Sequence, residues 1–235
     1  MPPTDDQRWM RRALELASSG LGETWPNPSV GCVLIRDGVV IGEGRTSRGG
    51  RPHAETNALQ SALGSPDAAD AYVTLEPCAH HGETPPCAGA LIDAAIKRVI
   101  VGATDHDPRV NGNGLARLRD AGIEVVTDIC GEAARAILSG FFHKLRTQIP
   151  LVISGSPTNR HALERADGVL QTDVTVQDIE GLASHGRLKL RVPVGARGAD
   201  VLRRLGAHGL TSVYVANDDP LAATLQAEGL INQNL

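Results

Sequence analysis

Three side chains that bind soft metal ions, together with one nearby carboxylate, stand out in this sequence. His53 and Glu55 are two residues apart, and Cys78 and Cys87 follow further along the chain. One imidazole and two thiolates can hold a Zn²⁺ ion and leave its fourth coordination position open for water. Structural zinc sites normally have four protein ligands. The residues therefore predict a catalytic zinc site with His53, Cys78 and Cys87 as the metal ligands.

Glu55 gives this site a proton carrier. Zinc lowers the pKa of a bound water molecule to about 7 in favourable sites. A carboxylate that does not bind the metal can accept that proton, protonate a ring nitrogen and pass a proton to a leaving amine. A His-x-Glu pair followed by Pro-Cys and a later Cys is typical of zinc-dependent deaminases. We therefore predict hydrolytic deamination of an aminopyrimidine or a purine, with Glu55 as the catalytic residue.

The residues alone leave two other interpretations open. His80 or His81 could complete a structural zinc site with four protein ligands. Alternatively, the cysteines could be small core residues and His53 a surface residue. The strand and helix pattern around the motif favours the catalytic site.

Alternating strand and helix patterns place these residues at the ends of elements. The dipeptide Asp37-Gly38 predicts a hairpin between strands at 30–36 and 39–45. His53 is expected in the first turn of a helix at 53–63, and Cys78 follows a short strand at 71–75. Further helices are expected at 5–19, 88–97, 115–120 and 131–145, and further strands at 98–102 and 123–126. This alternation predicts an α/β fold, a three-layer α/β/α sandwich around a mixed sheet.

Composition limits the class of protein. Of the 235 residues 41% are hydrophobic, 21% are charged and only 3% are aromatic, and the net charge is −4. Few aromatic residues and an acidic balance argue against nucleic-acid binding. No apolar run approaches the ~18 to 20 residues that cross a bilayer, and the polar start is unlike a secretory signal, so no membrane association is expected. Four cysteines, two of them in a metal motif, favour the reducing cytoplasm.

Longer motifs resemble those of the riboflavin-biosynthesis pyrimidine deaminases, a branch of the cytidine/deoxycytidylate deaminase superfamily that is often fused to a reductase. The resemblance covers residues 5–147. Its most telling feature is the long spacing between Cys78 and Cys87, because most of the superfamily carries Pro-Cys-x-x-Cys. The matching segments are Pro-Asn-Pro at 26–28, Val-Gly at 30–31, His-Ala-Glu at 53–55, Tyr-Val-Thr-Leu-Glu-Pro-Cys at 72–78, Thr-Pro-Pro-Cys at 84–87, and single residues between 105 and 114.

The resemblance implies a specific reaction. The substrate would be a small-molecule aminopyrimidine ribotide, 2,5-diamino-6-ribosylamino-4(3H)-pyrimidinone 5′-phosphate, which loses its 2-amino group. The family pattern also implies that Zn²⁺ is the cofactor and that Glu55 is the proton shuttle. Substrate contacts are expected from Asn27, His80 and Asp105.

Several positions near the expected substrate depart from the family pattern. Arg51 stands where an acidic residue is common, Glu83 where a basic one is common, and Asp107 and Asn113 also differ. A phosphate group requires cations or N–H donors. We therefore predict that Arg51 and Glu83 form a charge-swapped pair near the pocket mouth and that Arg51 or Arg109 contacts the phosphate. A related base or nucleotide without the phosphate, or a zinc-stabilised scaffold without catalysis, stays open.

Residues 148–235 are predicted to form a small C-terminal α/β segment after a deaminase domain at 1–147. The segment resembles a truncated fragment of the family's reductase half, with Ala216-Asn217-Asp218 in place of the usual Glu-Gly-Gly. Glycines there let a dinucleotide phosphate approach the backbone, whereas an aspartate repels it. We predict a non-catalytic remnant that binds no NADPH. A homodimer or higher homo-oligomer is expected, with a separate reductase as a candidate partner.

Overall fold

The structure, a computed structural model, describes residues 4–79, 85–104, 112–182 and 186–235. The chain divides into two compact units. The first unit consists of Met1–Gly20, Ser29–Ser47 and Arg51–Leu138, and the second of Leu21–Pro28, Arg48–Gly50 and Ser139–Leu235.

The first unit begins with an amphipathic helix, α1 (Asp5–Ser19). Thr4 caps it, because the Thr4 side chain accepts a hydrogen bond from the backbone of Gln7 and the Gln7 side chain accepts one in return. One face of α1 packs against the sheet of this unit and buries Met10, Ala13, Leu14 and Ala17.

A five-stranded mixed sheet forms the centre of the first unit. Its order is β2-β1-β3-β4-β5, antiparallel on the β2-β1-β3 side and parallel across β3-β4-β5. Asp37 and Gly38 both adopt positive φ, at 53° and 73°, as a two-residue hairpin turn requires. The predicted α/β class and mixed sheet are confirmed. The strands are β1 (Gly31–Arg36), β2 (Val39–Arg45), β3 (Asp70–Leu75), β4 (Arg98–Ala103) and β5 (Glu124–Val126).

Four more helices complete the first unit, and the last of them ends earlier than the sequence predicts. The helices are α2 (Ala54–Gln60), α3 (Cys87–Asp93), α4 (Asn113–Asp120) and α5 (Gly131–Ile137). The single helix expected over 131–145 is wrong, because α5 is separate from α6 (Ser139–Thr147) of the second unit. Ser139 and Gly140 follow directly after the break, and serine and glycine are weak helix formers. Gly140 also packs so closely on Thr211 that an added Cβ would lie 2.9 Å from its carbonyl oxygen.

The second unit is built on a parallel sheet. Its strands have the order β10-β6-β9-β7-β8, and every adjacent pair is parallel. The strands are β6 (Leu151–Gly155), β7 (Gly168–Asp173), β8 (Leu188–Pro193), β9 (Ser212–Ala216) and β10 (Gln233–Asn234). Besides α6, its helices are α7 (Arg160–Arg165), α8 (Gly198–Ala207) and α9 (Pro220–Ala227).

Trp25 explains why an early segment of the chain belongs to the second unit. Its indole N–H donates to the carbonyl of Gly186 at 2.9 Å, and its ring packs with buried residues such as Leu190 and Val213. A buried Trp contributes a large apolar surface to a core, and the hydrogen bond of its N–H fixes the orientation of the ring.

None of the helices in the described ranges is long and apolar enough to cross a bilayer.

Candidate metal centre

The three metal-binding side chains converge in the first unit. His53 is the N-cap of α2, Cys78 lies three residues after β3 ends at Leu75, and Cys87 is the first residue of α3. Their ligand atoms all lie within 4.8 Å of one another. The end of a strand and the starts of two helices therefore bring together residues that are up to 34 positions apart.

The spacing of these atoms fits a tetrahedral zinc site. His53 Nδ1 lies 3.4 Å from Cys87 Sγ and 3.8 Å from Cys78 Sγ. Ordinary zinc–nitrogen and zinc–sulfur bond lengths at a tetrahedral angle give a nitrogen–sulfur distance of about 3.6 Å. Among the described residues the group has three ligands, which leaves a fourth position for water or substrate. His80 and His81, the candidate fourth ligands, lie outside the described residues.

The orientation of the His53 ring also suits a metal ligand. Nδ1 faces both sulfur atoms, whereas Nε2 is buried and has no hydrogen-bond partner among the described residues. A neutral imidazole that carries its proton on Nε2 presents the Nδ1 lone pair to a metal ion.

The two thiols respond differently to their shared environment. Hydrogen bonds from the Cys87 thiol and His53, together with the Cys87 backbone N–H at 3.3 Å, lower the pKa of Cys78 to about 4. The neighbouring Cys78 thiolate and burial raise the pKa of the Cys87 thiol far above its usual value. A divalent cation would stabilise both thiolates, so its binding releases protons.

Glu55 places a buried carboxyl group beside the ligands. It is the second residue of α2 and only 4% exposed. Burial raises its pKa, the charge of His53 opposes that shift, and the Cys87 thiol is within hydrogen-bonding reach. A carboxyl group that is easily protonated and close to a metal site suits a proton carrier.

Asn57 fixes the start of α2, a role that the sequence alone did not indicate. Its Nδ2 donates to the carbonyl of Arg45 at 2.7 Å, to Ser47 Oγ at 2.9 Å and to the carbonyl of Pro52 at 3.3 Å. The segment before His53 is thereby tied to the helix that carries Glu55. An amide side chain in the second turn of the helix was the available signal.

Glu76 is a second residue whose role the motif did not reveal. It is buried, and its carboxylate accepts hydrogen bonds from backbone N–H groups at the start of α4. In the Glu-Pro-Cys motif only Cys78 is a predicted metal ligand, so the motif by itself indicates no role for Glu76.

The residues predicted to contact the substrate fall into three groups. Arg51 is half-buried two residues before His53, so it lies near the metal ligands. A hydrogen bond with Cys78 raises the pKa of His53, and the charge of Arg51 opposes that shift. Asn27 belongs to the second unit, where its side chain donates to the carbonyl of Gly50 at 2.9 Å. His80, Asp105 and Arg109 lie outside the described residues, as do Glu83, the predicted charge partner of Arg51, and Asp107.

The first unit carries a recognised zinc-binding region. A family model described as the cytidine and deoxycytidylate deaminase zinc-binding region matches residues 3–103, which include the three ligands and Glu55. A relative from Buchnera aphidicola subsp. Acyrthosiphon pisum, named diaminohydroxyphosphoribosylamino-pyrimidine deaminase, is 42% identical over 146 residues. The match covers 62% of this chain and 99% of that relative. The chain belongs to this deaminase family.

Two longer relatives show how far the likeness extends. The riboflavin biosynthesis protein RibD of Escherichia coli (strain K12) is 48% identical over 147 residues, which are 63% of this chain and 40% of the relative. The matched part thus spans less than half of that protein. A solved structure of a diaminohydroxyphosphoribosylaminopyrimidine deaminase/5-amino-6-(5-phosphoribosylamino)uracil reductase from Thermotoga maritima has a TM-score of 0.82 and 26% identity. It covers 95% of this chain and 84% of that one, so the likeness in fold includes most of the second unit.

The comparisons bear on two predictions from the sequence. The resemblance to riboflavin-biosynthesis deaminases is confirmed by the relatives, and the zinc cofactor is confirmed by the matched zinc-binding region together with the ligand group.

Proposed function

We propose that the chain catalyses the hydrolytic deamination of 2,5-diamino-6-ribosylamino-4(3H)-pyrimidinone 5′-phosphate, with zinc held by His53, Cys78 and Cys87. The observation that carries the proposal is the convergence of these three ligands beside the buried Glu55. The relative that this chain matches over 99% of its length is named for deamination of this class of pyrimidine.

The residues of this site divide the work of the reaction. A zinc ion held there supplies Lewis acidity, which lets a water molecule act as a nucleophile near neutral pH. Glu55 accepts a proton from the water as the oxygen bonds to C2 of the pyrimidine, and it delivers that proton to the adjacent ring nitrogen. Glu55 then carries the second proton of the water to the amino group. The C2–N bond breaks and ammonia leaves, so one water molecule is consumed for each ammonia released.

The burial of Glu55 supports this double role. A carboxylate in water holds its proton only weakly, whereas burial raises the pKa of Glu55 toward that of the groups with which it exchanges protons. Proton transfer is most efficient when the pKa of the carrier lies near the working pH.

A panel of substrates tests the proposed reaction. The purified chain should release ammonia from the phosphorylated diaminopyrimidine, more slowly from its dephosphorylated form, and at background rates from cytidine and guanine. Equal rates on the two diaminopyrimidines would refute recognition of the phosphate. Faster release from cytidine or guanine would contradict the substrate assignment.

We also propose assignments for the substrate-binding side chains and for the rest of the chain. Arg51 is the candidate for phosphate contact that the described residues support best, since it lies near the ligands. Asn27, His80, Asp105 and Arg109 are proposed as further substrate contacts on the strength of the motifs alone.

The second part of the chain, from about residue 148, is proposed to be a non-catalytic remnant of a reductase, and the whole chain a homodimer or higher homo-oligomer. A separate reductase would then perform the next step of the pathway. All four cysteines are free, which suits a reducing compartment such as the cytoplasm. Light scattering coupled to size-exclusion chromatography would measure the oligomeric state, and a monomer at micromolar concentration would contradict it.

A further inference from the structure

The start of α4 has no cap of its own. Its N-cap is Gly112, which has a φ of 86° and no side chain to accept a hydrogen bond. The first N–H groups of a helix have no partner within the helix and must be satisfied from elsewhere.

Glu76 supplies the missing acceptor. Its Oε2 accepts from the N–H of Gly112 at 3.1 Å, and its Oε1 accepts from the N–H groups of Gly114 at 3.1 Å and Leu115 at 3.4 Å. The residue is only 3% exposed, so these hydrogen bonds replace water around its carboxylate. A negative charge at this end of a helix is also favoured by the helix dipole.

The backbone around Glu76 is held from two further directions. The Glu76 N–H donates to the carbonyl of Ala103, the last residue of β4, at 2.9 Å. Gly114 packs directly on the next peptide, because a Cβ at that position would lie 2.0 Å from the carbonyl oxygen of Pro77. The two residues that precede Cys78 are therefore confined between the end of β4 and the first turn of α4.

We infer that Glu76 is a positioning residue for the metal ligand Cys78. Its carboxylate fixes the first turn of α4, and that turn fixes the Pro77 peptide from which Cys78 extends toward His53 and Cys87. The inference rests on the proposed use of zinc at this site, but it does not depend on which substrate is deaminated. Residues that hold metal ligands in place usually affect metal affinity directly.

Zinc affinity in graded variants tests this role. Glu76→Ala removes the hydrogen bonds to Gly112, Gly114 and Leu115, whereas Glu76→Gln keeps one acceptor oxygen and turns its amide toward at least one N–H group. Competition between each variant and a chelator for Zn²⁺ should show affinity reduced about 10- to 100-fold for Glu76→Ala and by a smaller factor for Glu76→Gln. Hydrogen exchange at Gly112, Gly114 and Leu115 should accelerate in the same order.

Two further variants separate positioning from general stability. Glu132→Gln changes an exposed carboxylate in the first turn of α5 and should leave zinc affinity within twofold of the wild type. Gly114→Ala keeps Glu76 but pushes on Pro77, so it should weaken zinc binding as well, and it serves if Glu76→Ala does not fold. All measurements are made at a temperature where circular dichroism shows the variants to be folded.

The outcomes are distinct for the two claims. Unchanged zinc affinity in folded Glu76→Gln and Gly114→Ala, with only a lower melting temperature, would overturn the positioning role. Wild-type protein that binds zinc but releases no ammonia would refute the proposed reaction, while the affinities of the variants would still decide the role of Glu76.

Discussion

Both units place polar residues just after parallel strands, but the two sets are used differently. In the first unit, the residues after β3 include Cys78, which meets His53 and Cys87 in a group of three metal-binding atoms. In the second unit, the residues after β9 include Asn217 and Asp219. Ser154 donates to Asn217, and Asp219 accepts hydrogen bonds from Leu221 and from both the backbone and side chain of Thr172.

The difference lies in whether the polar groups satisfy each other. Asp219 caps α9 and joins it to β7, so its hydrogen-bonding capacity is used within the fold. The metal-binding group, by contrast, gathers an imidazole and two thiols within 4.8 Å, a set of donors that suits a cation. Most buried polar groups find hydrogen-bond partners within the protein. The end of a strand becomes a binding site when several polar side chains meet there and keep donor atoms for a ligand.

Loss of a metal ligand should give the largest effect. Cys78→Ala leaves only two of the three ligands, so the zinc content of the purified protein should fall from one ion per chain to nearly none, and ammonia release should become undetectable. Cys130→Ser, a change at a half-buried cysteine outside the group, should retain zinc and activity. Full zinc occupancy in Cys78→Ala would break the assignment of the site.

Glu55→Gln should be the next most severe change. Glutamine has nearly the same shape but cannot carry protons, so kcat should fall about 100- to 10,000-fold while the zinc content stays unchanged. Glu132→Gln is the matched control and should leave kcat unaltered. A loss of less than fivefold in kcat for Glu55→Gln would remove this residue from the proposed mechanism.

Arg51→Ala should affect one substrate more than another. If its guanidinium binds the phosphate, kcat/KM for the phosphorylated diaminopyrimidine should fall about 10- to 100-fold, because a charged hydrogen bond is lost. The dephosphorylated form is the internal control and should be affected about twofold at most. Equal losses on both substrates would contradict the phosphate role.

In the second unit, a comparable substitution should change stability and not catalysis. Asp219→Ala removes the cap of α9 and the contacts with Thr172, so the free energy of unfolding should fall by about 1–3 kcal/mol, with zinc content and kcat unchanged. The exposed neighbour Asp218 provides the control, since Asp218→Ala should change stability by less than about 0.5 kcal/mol. A loss of deaminase activity in Asp219→Ala would undermine the contrast between the units.

The smallest effect is expected from NADPH. Titration calorimetry of the wild type should show no saturable heat, because Asn217 and Asp218 replace the glycines that, in the reductase half this segment resembles, let a dinucleotide phosphate approach the backbone. Saturable binding would show that the second unit keeps a nucleotide site.

Local signals in the sequence account for much of the fold. The Asp37-Gly38 turn and the first helix depend on neighbouring residues, and the turn and α1 form where those residues predict them. The division of the helix at Leu138 depends on the weak helix formers Ser139 and Gly140 together with the packing of Gly140 on the distant Thr211. The placement of Trp25 in the second unit depends on a contact with a residue 161 positions away. No periodicity or propensity encodes contacts of that range.

The metal site, like the fold, was predictable only in part from the sequence. Ligand types and spacing were enough to predict that His53, Cys78 and Cys87 would meet, because zinc chemistry restricts the residues that can serve. The supporting roles of Asn57 and Glu76 were not predictable, since most of their partners are backbone groups supplied by other parts of the fold. Almost every residue carries the same backbone N–H and carbonyl groups, so the residue types do not indicate which of these groups a side chain will bind.

We propose above all that zinc in the first unit supports deamination of the phosphorylated diaminopyrimidine. The most direct test removes zinc with a chelator, restores it in measured fractions and records ammonia release on the same samples. We expect the rate to rise in proportion to bound zinc and to reach its maximum at one ion per chain. Full zinc occupancy without ammonia release, or release that is independent of zinc, would contradict the proposal.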